Sequence, residues 1–120
     1  MQPVRKDLFC DLAIIGGGVG GCTAAICAAR RGLHVIMFEK GVSLGGLATN
    51  GYVPQIAGGI EGICMEYTKR LDDIGQLRKV DPSKDYYRNP SFEPEFGKFV
   101  LEIDKCSFGI YLIHMIFVRG

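Results

Sequence analysis

The chain has 120 residues, of which 48% are hydrophobic and 22% are charged, and its formal net charge at pH 7 is +1. This length suits one small domain with a single core, and the composition excludes a disordered chain. Charges of both signs are mixed along the chain, which argues against nucleic acid as a partner. The longest apolar stretch, 108–118, is far shorter than the ~20 residues of a membrane helix, so no membrane partner is expected.

The first third of the chain predicts a strand, a glycine-rich turn, a helix and a second strand. Residues 8–15 end in an apolar run that is typical of a parallel strand covered on both faces. The alanine-rich segment 22–32 favours a helix, with arginines in its last turn and Gly32 as its stop. Residues 33–39 are rich in branched and apolar side chains and predict the second strand. The four pieces together form a βαβ unit, whose crossover is almost always right-handed.

The rest of the chain predicts two further helices and one further strand. Residues 41–59 are rich in glycine and predict an irregular segment, whereas apolar residues at helical spacing predict a helix over 60–74. Residues 79–92 predict a polar loop, and the next helix is expected to begin near Pro94. Its predicted apolar face comprises Phe96, Phe99, Val100 and Ile103.

A last strand is predicted over 110–118. The fold class that follows is α/β, a Rossmann-like βαβ half with a three-stranded parallel sheet and flanking helices in one domain, residues 1–120. A sheet of three strands leaves an open edge, which favours self-association into a homo-oligomer.

The glycines between the first strand and the first helix fit the pattern GxGxxG at Gly16, Gly18 and Gly21. The first allows a tight turn, the second lets a pyrophosphate approach the backbone, and the third lets the helix pack closely on the strand. The helix N-terminus then offers N–H groups and partial positive charge to the phosphates. Gly17 and Gly20 are interpreted as additional freedom in the turn. A glycine turn without any ligand is the structural alternative.

An acidic residue at the end of the second strand supports a dinucleotide ligand. Glu39 lies 18 positions after Gly21, and its carboxylate can accept hydrogen bonds from ribose hydroxyls. It would repel a 2′-phosphate, which disfavours NADP. NAD and the ADP half of FAD use the same device, so the pattern leaves both open.

Three segments resemble the FAD-dependent oxidoreductases of the glutathione-reductase-like superfamily, which has two dinucleotide-binding domains. They are DLAIIGGGVGG at 11–21, FEK at 38–40 and SLGGLATNGYV at 43–53. The resemblance continues through FEPEFGKFVLE at 92–102 and IYLIHMIFV at 110–118. Three positions depart from the family pattern: Val19-Gly20 stand where Pro-Ala is common, and Asn50 stands where a small residue is common.

The resemblance implies that FAD is the cofactor. It places the FAD pyrophosphate at the turn that is formed by Gly16, Gly17, Gly18, Val19, Gly20 and Gly21. It places the adenosine ribose at Glu39, with Lys40 beside it. The flavin end of the cofactor would lie beside Gly45, Gly46, Leu47, Ala48 and Thr49.

The resemblance also implies that family members continue for several hundred residues after the last strand. We therefore expect the N-terminal part of a flavin-dependent oxidoreductase with an unknown small-molecule substrate, too short for catalysis alone. One alternative is a non-catalytic remnant that binds ADP or no ligand and self-associates. Another is an NAD-binding module of a dehydrogenase, against which the LGGLAT segment argues.

The remaining candidate residues favour structural roles. The cysteines are odd in number, form no CxxC pair and follow no signal peptide, so we expect reduced, mostly buried thiols in a cytoplasmic protein without a metal site. The sequence pairs neither His34 nor His114 with another catalytic group, and Asp72 and Asp73 suit a solvated helix face. Surface positions are expected for Tyr86, Tyr87 and Arg88. The sequence shows no pair of a nucleophile and a base, so no catalytic side chain is assigned; in a flavoenzyme the cofactor carries the chemistry.

Overall fold

The computed structural model describes residues 7–58, 60–79, 83 and 89–115. The predicted helices and strands follow one another along these residues in the order that the sequence predicts, with two short strands and one 3₁₀ turn in addition. The elements are β1 (Leu12–Ile15), α1 (Val19–Arg30), β2 (Val35–Glu39), the 3₁₀ turn Gly46–Ala48, α2 (Gly62–Asp73), β3 (Leu77–Arg78), β4 (Ser91–Phe92), α3 (Pro94–Ser107) and β5 (Tyr111–His114).

Three of the strands form a parallel sheet in the order β1-β2-β5. Ile15 pairs with Phe38, and Glu39 pairs with His114, so the carboxyl ends of the strands meet at one edge. The predicted α/β class with a three-stranded parallel sheet is thereby confirmed. The small antiparallel pair of β3 and β4 lies at the borders of the predicted polar loop and was not predicted.

Helix α1 covers one face of the parallel sheet. Every second residue of the strands points toward it, so that Val35 and Met37 are buried, and Ala25 in the helix is fully buried. The other face is partly exposed, since Ile15 keeps 75% of its surface accessible. The prediction that the first strand is covered on both faces is therefore wrong. The core cluster consists of Cys22, Ala25, Ile26, Ala28, Val35, Met37, Leu44 and Ile110.

Helix α3 packs through a different face from the predicted one. Phe96, Phe99 and Ile103 are exposed, and only Val100 of the predicted face is buried. The helix turns Gly97 inward, where a Cβ would lie 2.5 Å from the Phe92 ring. The missing side chain lets the helix approach closely, and this contact selects the buried face.

The cysteine prediction is only partly right. All five cysteines are free thiols, but Cys22 is the one buried member, and Cys106 is exposed. The acidic pair on α2 forms ion pairs, Asp72 with Lys79 and Asp73 with Lys69.

The last strand is shorter than predicted within the part that the structure describes. It ends at His114, and residues 116–118 of the predicted strand lie outside the described residues, as do Tyr86, Tyr87 and Arg88. Among the described helices, none has the length and apolar character needed to cross a membrane. The described residues also hold no group of three or more side chains suited to a metal ion.

Candidate functional site

The glycine turn, residues 16–21, connects β1 to α1 at the carboxyl edge of the sheet. Gly16 has φ +101°, a conformation that L side chains rarely adopt, and its N–H donates to the Phe38 oxygen at 2.7 Å. Gly18 caps α1, and the Cys22 N–H donates to its oxygen at 2.9 Å. The N–H groups that precede Cys22 have no acceptor within the helix, and no acidic residue lies in its first turn. This end of α1 is therefore suited to an anion.

The glycines of the turn differ in what surrounds them. A Cβ on Gly18 or Gly20 would meet no atom within 4 Å, so the space beside them is open. A Cβ on Gly21 would lie 1.9 Å from the Gly16 oxygen, which confirms its predicted role in close helix–strand packing. A Cβ on Gly17 would lie 2.5 Å from Leu44 Cδ2. The prediction that Gly17 only adds freedom is therefore wrong, because this glycine packs against the next loop.

The carboxylate of Glu39 lies directly beside the glycine turn. The Gly17 N–H donates to Oε2 at 2.6 Å, and the Gly41 N–H donates to Oε1 at 2.5 Å. A carboxylate offers about four lone-pair sites, so two backbone donors leave capacity for further donors such as ribose hydroxyls. The strand-end acid thus lies where the sequence predicts it. Lys40, which follows it, is exposed.

A second loop, residues 43–50, packs against the glycine turn. The Gly45 N–H donates to the Gly17 oxygen at 2.8 Å, and Gly18 and Gly45 form an isolated parallel bridge. A Cβ on Gly46 would lie 3.1 Å from the Gly18 Cα. The two segments that the resemblance assigned to one cofactor, 27 positions apart at Gly18 and Gly45, are therefore in contact.

The second loop is held by side chains that the sequence analysis did not assign to this task. The Asn50 amide donates to the Ser43 oxygen at 2.9 Å, and the Ser43 hydroxyl donates to Asn50 Oδ1 at 2.6 Å. Thr49 is fully buried and donates to the Leu44 oxygen at 2.5 Å, so its hydroxyl faces the protein. The two hydrogen bonds between Ser43 and Asn50 form the brace of the second loop. The departure of Asn50 from the family pattern is the sequence feature that could have indicated this brace.

Apolar side chains are exposed in the two loops and directly after the second one. Val19 is 57% exposed, Leu47 is 69% exposed and Tyr52 is 66% exposed. Val19 begins α1 and Leu47 lies in the second loop, so their exposed side chains offer apolar surface at these loops. Ala48 is half-buried and lines an apolar cavity of about 60 Å³ behind the loop. That cavity is far below the ~300 Å³ of a ligand pocket, so a cofactor would lie across the two loops instead.

The buried thiol of Cys22 lies below the glycine turn. It donates to the Gly17 oxygen at 3.2 Å, the same oxygen that accepts from Gly45. Burial raises the pKa of the Cys22 thiol from 9.0 to about 11, against the smaller opposing effect of the Gly45 backbone. The group stays a protonated thiol at neutral pH, so it acts as a packing group and donor and not as a nucleophile.

The two candidate histidines occupy opposite ends of the sheet. His34 precedes β2 and is exposed, and its main chain bonds with Asp11. His114 ends β5 at the carboxyl edge, and its Nδ1 lies 2.8 Å from the Gly41 oxygen. No local pattern predicts this second contact, because it joins residues that are 73 positions apart.

Comparison with protein families finds one match that spans most of the chain. The sequence model described as "FAD dependent oxidoreductase" matches residues 11–103. Among curated proteins, mitochondrial dihydrolipoyl dehydrogenase of Caenorhabditis elegans is 48% identical over 48 residues, which are 39% of this chain and 10% of that protein. Thiamine thiazole synthase of Solidesulfovibrio magneticus is 48% identical over 45 residues, 38% of this chain and 17% of that protein.

Solved structures share the fold over a longer part of the chain. Thermovibrio ammonificans THI4 superposes with a TM-score of 0.59 at 22% identity and covers 88% of this chain and 38% of that one. At this identity the likeness shows the fold alone. The chain thus spans well under half the length of the proteins it matches.

Proposed function

Because this chain belongs to the FAD dependent oxidoreductase family, whose cofactor is FAD, we propose that its two contacting loops bind that cofactor. Gly16, Gly17, Gly18, Val19, Gly20 and Gly21 form the turn around the pyrophosphate, and the N–H groups at the start of α1 donate to it. Glu39 and Lys40 lie at the adenosine ribose. The backbone of Gly45 and Gly46 and the side chains of Leu47 and Ala48 face the flavin, whereas Thr49 is buried and holds this loop from behind. The observation that carries this proposal is the contact of the glycine turn with the second loop, through the 2.8 Å bond from the Gly45 N–H to the Gly17 oxygen.

The residues fit the chemical parts of FAD in order along the sheet edge. Acceptor capacity at Glu39 suits the ribose hydroxyls, and the open space beside Gly18 suits the approach of a pyrophosphate. The exposed apolar side chains around the second loop suit the flat flavin ring. The negative carboxylate disfavours a ribose that carries a 2′-phosphate.

The activity that we propose for the protein is oxidoreduction of a small molecule. A bound flavin accepts and releases electrons or a hydride, and the protein supplies binding, orientation and electrostatics. The residues described here bind and orient the cofactor. None of them is assigned as a general acid or base.

Ligand titration of the purified chain tests this proposal. We expect FAD binding to quench or shift the flavin fluorescence, and ADP binding to be detectable by calorimetry. Adenosine 2′,5′-bisphosphate should bind more weakly than ADP. A chain that binds neither FAD nor ADP, or that binds NAD more tightly than FAD, would contradict the proposal.

A substitution at Glu39 makes this test specific. Glu39→Gln replaces two acceptors by one acceptor and one donor, so one backbone N–H loses its partner and the ribose loses a charged acceptor. We expect ADP affinity to fall by about tenfold, or ~1.4 kcal/mol. Glu61→Gln, at the exposed start of α2, is the matched control and should bind like the unchanged chain.

A further inference from the structure

A chain of hydrogen bonds runs from the end of β5 to the glycine turn. His114 Nδ1 lies 2.8 Å from the Gly41 oxygen, and the N–H of the same Gly41 donates to Glu39 Oε1 at 2.5 Å. The other carboxylate oxygen, Oε2, accepts from the Gly17 N–H at 2.6 Å. Gly41 therefore stands between a histidine ring and the carboxylate at the proposed ribose site.

From this arrangement we infer that His114 is a positioning residue of the adenosine end of the cofactor site. The inference rests on the proposed function for the meaning of that site, but the contacts themselves do not depend on it. Since the Gly41 oxygen can only accept, Nδ1 carries the proton and donates. The imidazole thereby fixes Gly41 so that its N–H stays directed at Glu39.

Gly41 has little room to find another position. A Cβ there would lie 3.0 Å from Glu39 Oε1 and 3.2 Å from the Asn50 amide nitrogen. The residue thus lies between the carboxylate and the brace of the second loop. A hydrogen bond that holds the Gly41 oxygen therefore orders the turn after β2 both beside Glu39 and beside the second loop.

The backbone hydrogen bonds between β2 and β5 do not hold the turn after β2 by themselves. The Met115 N–H donates to the Glu39 oxygen at 2.8 Å, which is the last bond between β2 and the β5 segment within the described residues. Gly41 lies beyond that bond, and among the residues that the structure describes it is the His114 side chain that links Gly41 to β5. Because His114 is exposed, its removal opens no cavity in the core, and its effect is separable from folding.

Three variants of the chain test the inference, with ADP as the probe. His114→Leu removes the donor, and His114→Asn retains an amide N–H near the position of Nδ1. His34→Leu is the matched control, because His34 is exposed at the opposite edge of the sheet and bonds with Asp11 through its main chain. The readouts are ADP affinity by calorimetry, amide hydrogen exchange at Gly41 and Gly17 by NMR, and the urea midpoint of unfolding.

We expect His114→Leu to weaken ADP binding about fivefold and to speed exchange of the Gly41 amide, with an unchanged unfolding midpoint. His114→Asn should restore both properties, and His34→Leu should alter neither. An unchanged ADP affinity and an unchanged Gly41 exchange in His114→Leu would overturn the inference. So would a His114→Asn variant that behaves like His114→Leu, or a loss of exchange protection throughout the chain.

The result separates this inference from the proposed function. If the unchanged chain binds neither FAD nor ADP, the proposed function fails, and Gly41 exchange alone decides the role of His114. Faster exchange in His114→Leu then still supports positioning of the turn, and unchanged exchange overturns it.

Discussion

Replacement of Gly18 by alanine separates cofactor binding from folding, because it adds one methyl group in open space. Gly18 has φ −70°, which any residue adopts, and its Cβ would meet no atom within 4 Å. Alanine restricts the unfolded chain, which stabilises by roughly 0.4–1 kcal/mol. It is a poorer N-cap than glycine, which costs a similar amount. We therefore expect the free energy of unfolding to change by less than about 1 kcal/mol.

The same methyl group should strongly reduce FAD binding. It occupies the space through which the pyrophosphate approaches the N–H groups at the start of α1. If two hydrogen bonds to charged phosphate oxygens are lost, at roughly 1.5 kcal/mol each, the loss is about 3 kcal/mol. This corresponds to a decrease in affinity of about 100-fold. The assay is a fluorescence titration with FAD, beside urea unfolding of the same variant.

Gly20→Ala is the control for this experiment. It makes the same substitution two positions further on, where a Cβ also meets no atom within 4 Å. Within the first turn of α1 it should stabilise by up to about 1 kcal/mol, so it controls for the effect of an added methyl group on folding. A Gly18→Ala variant that binds FAD as tightly as the unchanged chain would refute the pyrophosphate site at Gly18.

Two further predictions concern the packing beneath the site. Gly21→Ala should lower the free energy of unfolding by about 3 kcal/mol in urea denaturation. The reason is that the new Cβ would lie 1.9 Å from the Gly16 oxygen, which belongs to rigid backbone. A decrease below ~1 kcal/mol would show that α1 shifts freely to make room for the methyl group. The pKa of Cys22 is raised on folding from 9.0 to about 11, so its protonated thiol stabilises the folded state at pH values below 9. This stabilisation falls by about 1.4 kcal/mol per pH unit as the pH rises from 9 to 11. Cys22→Ala should remove that part of the pH dependence, and equal slopes in both proteins would contradict the raised pKa.

The sequence predicted the βαβ unit well because its signals are local. An apolar run, glycines at fixed spacing and an alanine-rich segment each act on neighbouring residues, and they predicted β1, α1 and β2 close to their observed bounds. The approach of Gly21 to Gly16 and the place of Glu39 also followed from spacing. For the geometry of that unit, prediction from sequence alone was sufficient.

Properties that depend on contacts between distant segments were not predictable. Helix α3 carries apolar residues on more than one side, and the choice of its buried face depends on Gly97 against Phe92 and Tyr67. The packing role of Gly17 depends on Leu44, which lies in another loop. Helical periodicity and motif spacing contain no information about such partners.

The sheet order β1-β2-β5 has a consequence for the order in which the site is assembled during synthesis. The bond between Gly17 and Glu39 joins residues 22 positions apart, whereas the contact of His114 with Gly41 spans 73 positions. Contacts at short separation close at a lower entropic cost, so the phosphate end can form on the ribosome while β5 is still being made. The proposed adenosine end is completed only when β5 has docked. A ligand that contacts both ends, as we propose for FAD, would therefore bind more tightly once β5 has docked and would stabilise that arrangement.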